Sequence, residues 1–191
     1  MPKTFIRGEF RGQKSMDEAL KAGDETEARF IELLESRGYE VYESEDLDYS
    51  PIFIDVIGVK GGREVTFQVK GRNRPGRHRG FNDNFVTIEL TNVLGLKGWV
   101  HGKAMYLAKR VKKGFAVYRM ATLRDFVKSR VGEEVATSLI DTYEGNGGLY
   151  KKYTRPGRKD EIVYASSSDI EKYFTAQGER IYFYPWVEPL D

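Results

Sequence analysis

The chain has 191 residues, of which 40% are hydrophobic, 31% charged and 13% aromatic, and its formal net charge is only +2. This composition indicates a globular protein, and it means that any nucleic-acid binding must depend on where the charges lie. The lack of cysteine excludes disulfides and thiolate metal sites, and no apolar run approaches the roughly 18 residues of a membrane span. The first residues also lack the apolar core of a signal peptide, so we expect a cytoplasmic protein with no membrane partner.

The first quarter of the chain predicts an arm, a helix and a short strand. Residues 1–23 are polar and mixed, and we expect them to form an N-terminal arm. The helix is predicted from Asp24, which can cap it, to the stop signal Gly38. Tyr39–Glu43 is a strand candidate, and acidic, turn-like residues follow it up to Pro51.

A β-hairpin is predicted where two apolar runs flank Gly61-Gly62, because this pair favours a two-residue turn. In that register Asp55 lies opposite Gln68, with Cβ atoms ~5 Å apart. Lys70 shares their face because side chains alternate along a strand. The other face is predicted to be the core face and carries Ile54, Val56, Val65, Phe67 and Val69.

The rest of the chain predicts a mixture of strands and helices. Strand candidates are Phe85–Leu90, as a further strand of the hairpin's sheet, Ala104–Val111, Phe115–Met120, Ile162–Ala165 and Ile181–Tyr184. Helices are predicted from a Thr122 cap to about Val131, over Glu133–Tyr143 and over Ser168–Phe174. This order of elements indicates a mixed α/β or α+β domain.

The polar face of the hairpin is the main candidate site. Asp55, Gln68 and Lys70 bring together a carboxylate, an amide oxygen and an ammonium, which suit a hard divalent cation and a phosphate. Polar residues on a half-exposed hairpin are also ordinary. Glu27 lies on the core-facing side of its helix, where an acid requires a partner. A capping box and the helix dipole offer a structural alternative for Glu27.

A basic loop follows Lys70 directly. Four arginines and a histidine lie close together among Asn, Pro and Gly, namely Arg72, Arg74, Arg77, His78 and Arg79. The forked guanidinium groups suit contact with phosphates. Taken alone, such a loop is more often a solvated surface segment, but its place after the candidate strand favours nucleic-acid binding.

Several other residues are weaker candidates. Glu89 approaches the site or is an exposed strand acid, and we prefer the second interpretation. Asp46 and Asp48 belong to an acidic turn that can bind a cation. Trp99 stacks on a base or belongs to the core. The basic and aromatic residues of 150–158 offer a second nucleic-acid contact.

Glu27 on the first helix, Asp55 on the hairpin's first strand and Gln68, Val69 and Lys70 on its second resemble the active-site pattern of the PD-(D/E)XK nuclease superfamily. The resemblance is to restriction-endonuclease-like and Holliday-junction-resolvase-like members, and it covers roughly residues 24–90. Two features depart from the pattern. Gln68 replaces the usual acid of the second hairpin strand, and no proline precedes Asp55 directly.

The resemblance implies an α/β restriction-endonuclease-like core, with a mixed central sheet flanked by helices and a C-terminal α+β extension. We expect residues 1–23 to be the arm, 24–120 the nuclease core and 121–191 the extension, packed on the core as one globular unit.

The function that the resemblance implies is a metal-dependent DNA endonuclease. Asp55, Gln68 and the Val69 carbonyl would hold Mg²⁺, with Mn²⁺ as a substitute, and Glu27 would bind it through water or support a second ion. Lys70 would orient or help deprotonate the attacking water and offset charge on the phosphate. The expected substrate is duplex, branched or single-stranded DNA, with RNA open. A homodimer and a phage or prokaryotic source are expected.

Two alternatives use the same residues differently. The chain can be a catalytically inactive nucleic-acid-binding protein that retains the nuclease core, with Gln68 marking the lost activity. It can also be a structural or interaction protein that uses its aromatic C-terminal half.

Overall fold

The computed structural model of the chain describes residues 7–43, 52–72, 81–138 and 148–186, with side chains described from residue 21 onward. Helices and strands follow one another along these ranges in the order α1 (Arg7–Glu35), β1 (Glu40–Glu43), β2 (Val56–Lys60), β3 (Arg63–Lys70), β4 (Phe85–Thr91), a short 3-10 helix (Trp99–His101), β5 (Tyr106–Val111), β6 (Gly114–Arg119), α2 (Met120–Arg130), β7 (Val131–Val135), β8 (Tyr150–Lys152), β9 (Glu161–Ser166), α3 (Ser167–Ala176) and β10 (Tyr182–Pro185).

A six-stranded mixed sheet organises the fold, with its strands in the order β1-β2-β3-β5-β6-β10. Neighbouring strands are antiparallel except for β3 and β5, which are parallel. The predicted hairpin is the β2–β3 pair, in which Val59 lies opposite Glu64 as expected. Gly61 and Gly62 both have positive φ angles, 58° and 70°, as a tight type I′ turn requires. The predicted turn and register are therefore confirmed.

Both faces of the central sheet are covered. On one face Phe30 and Leu34 of α1 pack against Val56, Phe67 and Val69 of the hairpin. On the other face a larger apolar cluster joins β5 and β6 to β4, β9, α2, α3 and the 3-10 helix. The polar side chains of β3 therefore lie between two layers, and not on the half-exposed surface that the hairpin pattern suggested.

Strand β4 belongs to that second layer. It pairs with β9 in a separate two-stranded sheet, so the expectation that it extends the hairpin's sheet is wrong. Its alternating residues Val86, Ile88 and Leu90 point into the larger apolar cluster. Alternation alone predicts a strand with one buried face, but it does not say which sheet the strand joins.

Helix α1 begins well before the predicted cap. It starts at Arg7, so the capping role expected for Asp24 is wrong. No proline interrupts residues 7–23, and a glycine inside a helix costs only about 1 kcal/mol. The predicted stop is confirmed, since Gly38 has a φ of +76° and Tyr39 N–H returns to Leu34 O. Although α1 crosses residue 23, the predicted division into arm, core and extension stays a prediction.

Two predictions in the second half of the chain also differ from the structure. Helix α2 begins at Met120, so Thr122 is buried inside the helix and does not cap it. The segment Glu133–Tyr143 was expected to be helical, but its first residues belong to strand β7, which pairs with β8. Pairing between strands distant in sequence here overrides local helix propensity.

The predicted α/β class is confirmed. A mixed central sheet carries α1 on one face and α2 and α3 on the other, and the residues after 120 add helices and strands to this unit. Within the described residues, no helix is long and apolar enough to cross a membrane.

Candidate functional site

Asp55 lies just before β2, opposite Gln68 as the hairpin register predicts. Its backbone N–H donates to Phe67 O at 2.8 Å, which extends the ladder by one residue. Its Oδ2 accepts the backbone N–H of Val69 at 2.6 Å and a hydrogen bond from Nε2 of Gln68. The main chain of β3 therefore fixes this carboxylate beside the three residues singled out from the sequence.

A strained turn leads into Asp55. Strand β2 begins at Val56, and before it Phe53 departs from the extended conformation with a φ of +46°. This left-handed backbone is rare for an aromatic residue and persists only where its surroundings enforce it. Gly102 packs so closely here that a Cβ on it would lie 2.5 Å from Phe53 Cβ. The strain thus sits two residues before the candidate carboxylate, where it sets the direction of the chain.

Gln68 is the most unusual residue of the site. It is only 1% exposed, and its Oε1 is buried with no hydrogen-bond partner in the part of the chain that the structure describes. Its Nε2 donates to Asp55, and the reverse orientation would set two acceptor oxygens against each other. An unpaired buried amide oxygen costs about 1–3 kcal/mol. A water, an ion or a ligand can satisfy such an atom.

Glu89 of β4 lies within the electrostatic influence of Lys70, the last residue of β3. Lys70 is partly exposed at the last position of that strand, and Glu89 is half-buried on β4. Burial raises the pKa of Glu89 above its usual value, against the opposing charge of Lys70 and a hydrogen bond from the Trp99 N–H. The preferred interpretation of Glu89 as an exposed strand acid is wrong, because β4 lies in the layer that covers the sheet.

Glu27 is half-buried on α1. The helix passes the end of β3 here, since Oγ1 of the neighbouring Thr26 lies 3.7 Å from where a Cβ on Gly71 would stand. Gly71 follows Lys70 directly, so α1 brings Glu27 towards the end of the strand that carries the site. A role for Glu27 at a metal stays a prediction.

The basic loop is described only at its two ends. Arg72 forms a two-bond ion pair with Asp83, with distances of 3.0 and 2.9 Å, and stacks over Phe81 at 4.5 Å. Contact between Arg72 and a phosphate would therefore have to replace this pair. The other predicted nucleic-acid-binding residues lie outside the described residues, namely Arg74, Arg77, His78 and Arg79, and so do the acidic candidates Asp46 and Asp48.

Sequence reasoning missed a polar cluster beside the site. Lys109 is 1% exposed and donates from Nζ to Phe85 O at 2.6 Å, and burial lowers its pKa to about 8. Burial also acts to raise the pKa of Asp83, but hydrogen bonds from Arg72 and the Lys112 N–H outweigh it and lower that pKa. The sequence does contain a signal for this cluster, because Arg72 and Asp83 carry opposite charges at the two ends of the basic loop.

Three residues of the weaker nucleic-acid candidates form contacts within the fold. Lys151 pairs with Glu134 at 3.0 Å and Lys152 with Glu133 at 2.7 Å. Trp99 is 5% exposed and belongs to the larger apolar cluster, so its core interpretation is confirmed. The two lysines are thus held in ion pairs and Trp99 is buried, while Arg158 of the same segment is exposed.

The site offers oxygen donors that could hold a hard cation, but it contains few negative charges. By residue type these donors are Asp55, the Gln68 amide oxygen, the Val69 carbonyl and Glu27, and the unpaired Gln68 Oε1 is the observation that is compatible with a ligand. Because Nε2 of Gln68 faces Asp55, one ion bound by both side chains would require the amide to turn over, so that the now unpaired Oε1 faced Asp55. Within the described residues, no group of three or more His, Cys, Asp or Glu could hold a metal ion.

Comparison with known proteins gives only distant likenesses. No protein-family model matches the sequence, and no curated protein matches it. A bacterial homing endonuclease, I-Ssp6803I, is similar in structure with a TM-score of 0.37 and 14% identity, over 52% of this chain and 64% of the homing endonuclease. Hjc, a Holliday junction resolvase of the archaeal hyperthermophile Archaeoglobus fulgidus, has a TM-score of 0.35 and 17% identity, over 52% of this chain and 78% of Hjc.

The class of fold is defined by the chain's own topology. Helix α1, the antiparallel β1–β2–β3 meander and the parallel strand β5 follow one another, with Asp55 and Gln68 facing each other across the hairpin. The predicted mixed α/β core, with a central sheet flanked by helices, is confirmed in this arrangement. The side chains of the site must carry any interpretation of activity.

Proposed function

We propose that the chain is a metal-dependent DNA endonuclease that hydrolyses phosphodiester bonds. The observation that carries the proposal is the site at the end of the hairpin. Asp55 accepts hydrogen bonds from the Gln68 side chain and the Val69 N–H, while Gln68 Oε1 stays buried and unpaired among the described residues. Lys70 follows at once on the same strand. A carboxylate, neutral oxygens and a cation within one hairpin match what phosphate hydrolysis needs.

The roles of the residues follow from their chemistry. Asp55, Gln68 and the Val69 carbonyl would hold Mg²⁺ or Mn²⁺, and Glu27 would support it through water. The bound ion would supply Lewis acidity and lower the pKa of water. Lys70 carries a positive charge at the open end of β3, where it neutralises charge that develops on the phosphate and orients the attacking water. The substrate class is proposed as DNA, and a homodimer as the form that makes symmetric cuts.

A non-catalytic nucleic-acid-binding protein is the second candidate, and one observation favours it. Gln68 removes a negative charge from the site, and its amide donates to Asp55 where a metal ligand would present an oxygen. Such a protein would bind DNA in a salt-dependent manner without cutting it.

Cleavage of supercoiled, linear, branched and single-stranded DNA, with Mg²⁺ or Mn²⁺ and with EDTA, tests the proposal. The unmodified chain should cut at least one substrate only with metal, and Asp55→Asn and Lys70→Ala should each reduce the rate by about 100-fold or more. Asp125→Asn and Lys113→Ala are matched controls, because both side chains are exposed and distant in sequence from the site. They should cut like the unmodified chain.

The outcomes separate the two candidates. DNA binding without cutting, with either metal and on every substrate, would replace the nuclease with the non-catalytic binding protein. Cutting that survives both Asp55→Asn and Lys70→Ala in folded protein would place the active site elsewhere in the chain.

A further inference from the structure

The loop that joins β4 to the 3-10 helix displays two leucines at its tip. Thr91 and Lys97 form an antiparallel bridge that closes the loop. Leu94 and Leu96, which lie between them, are 55% and 56% exposed. One exposed leucine is ordinary, but two on one short closed loop form a small apolar point on the surface.

Hydrogen bonds hold this loop in a single shape. The buried Asn92 accepts the N–H groups of both Leu94 and Leu96 through Oδ1 at 3.0 Å. Its own N–H donates to Leu96 O at 2.8 Å, and Gly95, with a φ of +83°, donates to Asn92 O at 2.9 Å. The leucines are therefore presented by a preorganised support, and a partner need not order the loop on binding.

Two lysines lie at the loop, Lys97 within it and Lys159 packed against it. The stem of Lys159 runs along the loop, with Cδ 3.3 Å from where a Cβ on Gly95 would stand. Partial burial and the charges of Lys97, Arg124 and Lys128 lower the pKa of His101, so these cations lie near the 3-10 helix that follows the loop. An apolar point among cations is complementary to nucleic acid, whose phosphates meet the cations while a base step receives the apolar side chains.

The root of the loop packs against the main chain of β4 at Glu89 and Leu90. A Cβ on Gly98 would lie 2.3 Å from Glu89 O, and Gly98 N–H donates to Leu90 O at 2.8 Å. Glu89 is the acid that lies within the electrostatic influence of Lys70. At about 3.3 Å per extended residue, the tip lies on the order of 10–20 Å from Glu89, which is within the reach of one bound stretch of DNA.

We propose that Leu94 and Leu96 form a wedge that enters a base step of bound DNA and unstacks it near the scissile phosphate. Lys97 and Lys159 hold the phosphates on either side of that step. This inference rests on the proposed nuclease function, and it names the substrate more closely, as DNA that is kinked or easily unstacked. Pyrimidine–purine steps, mismatches and branch points open at the least cost.

A plasmid-unwinding experiment tests the wedge without any cleavage. Closed-circular DNA is relaxed by a metal-independent topoisomerase in EDTA with the full chain bound, and the linking number is measured after the protein is removed. An inserted side chain untwists the duplex, so the unmodified chain should leave a clear shift in linking number. The variant Leu94→Ala/Leu96→Ala should lose more than half of that shift at equal DNA occupancy, and Leu94→Phe should keep it.

Leu149→Ala is the matched control, since Leu149 is also 53% exposed but belongs to another part of the chain. Its shift should equal that of the unmodified chain. Binding without any change in linking number, or a double variant that unwinds as well as the unmodified chain, overturns the wedge and leaves the nuclease proposal intact. If the chain neither binds nor cuts DNA, both proposals fail, and a protein partner becomes the better occupant of the tip.

Discussion

Two polar clusters occupy neighbouring places on the central sheet, and they differ in how fully their hydrogen bonds are satisfied. In the Asp83 cluster, both carboxylate oxygens accept bonds from Arg72 or the Lys112 N–H, and the Lys109 ammonium donates to Phe85 O. In the hairpin site, Gln68 Oε1 is buried without a partner among the described residues. The two clusters are close, because Lys70 of β3 lies opposite Lys109 of β5.

This difference in hydrogen bonding suggests different roles for the two clusters, one structural and one functional. A buried polar cluster in which every group is paired stabilises one arrangement and leaves no position for a ligand. The hairpin site instead contains an unpaired buried oxygen on Gln68 and a strained backbone at Phe53, and both raise the free energy of the folded chain. A ligand that bonds to this oxygen would lower that free energy. We therefore infer that the Asp83 cluster holds the ends of the basic loop in place, while the hairpin site carries the chemistry.

The largest effect on stability is expected from Asp83→Asn. The substitution removes the charge that neutralises Arg72 and the nearby Lys109, and hydrogen bonds to charged groups contribute about 1.5–3 kcal/mol each. We expect the free energy of unfolding to fall by about 2–3 kcal/mol in urea denaturation. Asp125→Asn, at an exposed pair with Lys128, is the control and should change it by less than about 0.5 kcal/mol. An unchanged stability for Asp83→Asn would make this cluster a solvated surface pair.

The sequence predicted features set by neighbouring residues, such as turns and hairpin register, better than features set by how one layer of the fold packs on another. The Gly61-Gly62 turn set the hairpin register, and that register alone placed Asp55 opposite Gln68. The side of the sheet on which β4 lies depends on packing between distant segments, so the burial of Glu89 was not predictable from alternation. The burial of Gln68 has the same origin, since a second layer covers the hairpin's polar face.

The two ends of helix α1 also differ in how well the sequence predicted them. Gly38 marked the end of α1 through a local left-handed turn, which any sequence reading can find. Asp24 carried an equally good start signal, yet the helix continues through it to Arg7. A cap signal predicts a start only where the preceding residues cannot themselves be helical.

The second prediction concerns pH. The pKa of Lys109 is lowered from 10.5 to about 8 by burial, so between these values the unfolded chain binds more protons than the folded one. The free energy of unfolding should therefore rise with pH in this window, by up to about 1.4 kcal/mol per pH unit from this group. The variant Lys109→Met should lack this contribution. As pH increases, the unmodified chain should therefore become more stable relative to the variant.

Urea denaturation of both proteins between about pH 8 and 10 measures this difference. The upper limit avoids Tyr118, whose pKa burial raises to about 12 and whose ionisation opposes folding at higher pH. Parallel stability curves for the two proteins would mean that Lys109 titrates alike in the folded and unfolded chain, and that its cluster is open to water.

The smallest net effect, measured with Mg²⁺ present, tests the hairpin site directly through Gln68→Glu. In EDTA a second carboxylate opposite Asp55, at a position only 1% exposed, should destabilise the protein by at least about 1 kcal/mol, because like charges across a hairpin repel and a buried charge loses its hydration. The same charge should tighten Mg²⁺ binding about tenfold, or about 1.4 kcal/mol, so that added Mg²⁺ restores or exceeds the original stability. Thermal unfolding with Mg²⁺ and with EDTA measures both effects, and Gln177→Glu at an exposed position of α3's C-terminal end is the control. If Gln68→Glu lowers stability equally with and without Mg²⁺, the oxygen at position 68 does not face a cation site. The unpaired Oε1 would then be a cost of packing, and the contrast between the two clusters would no longer indicate where the chemistry occurs.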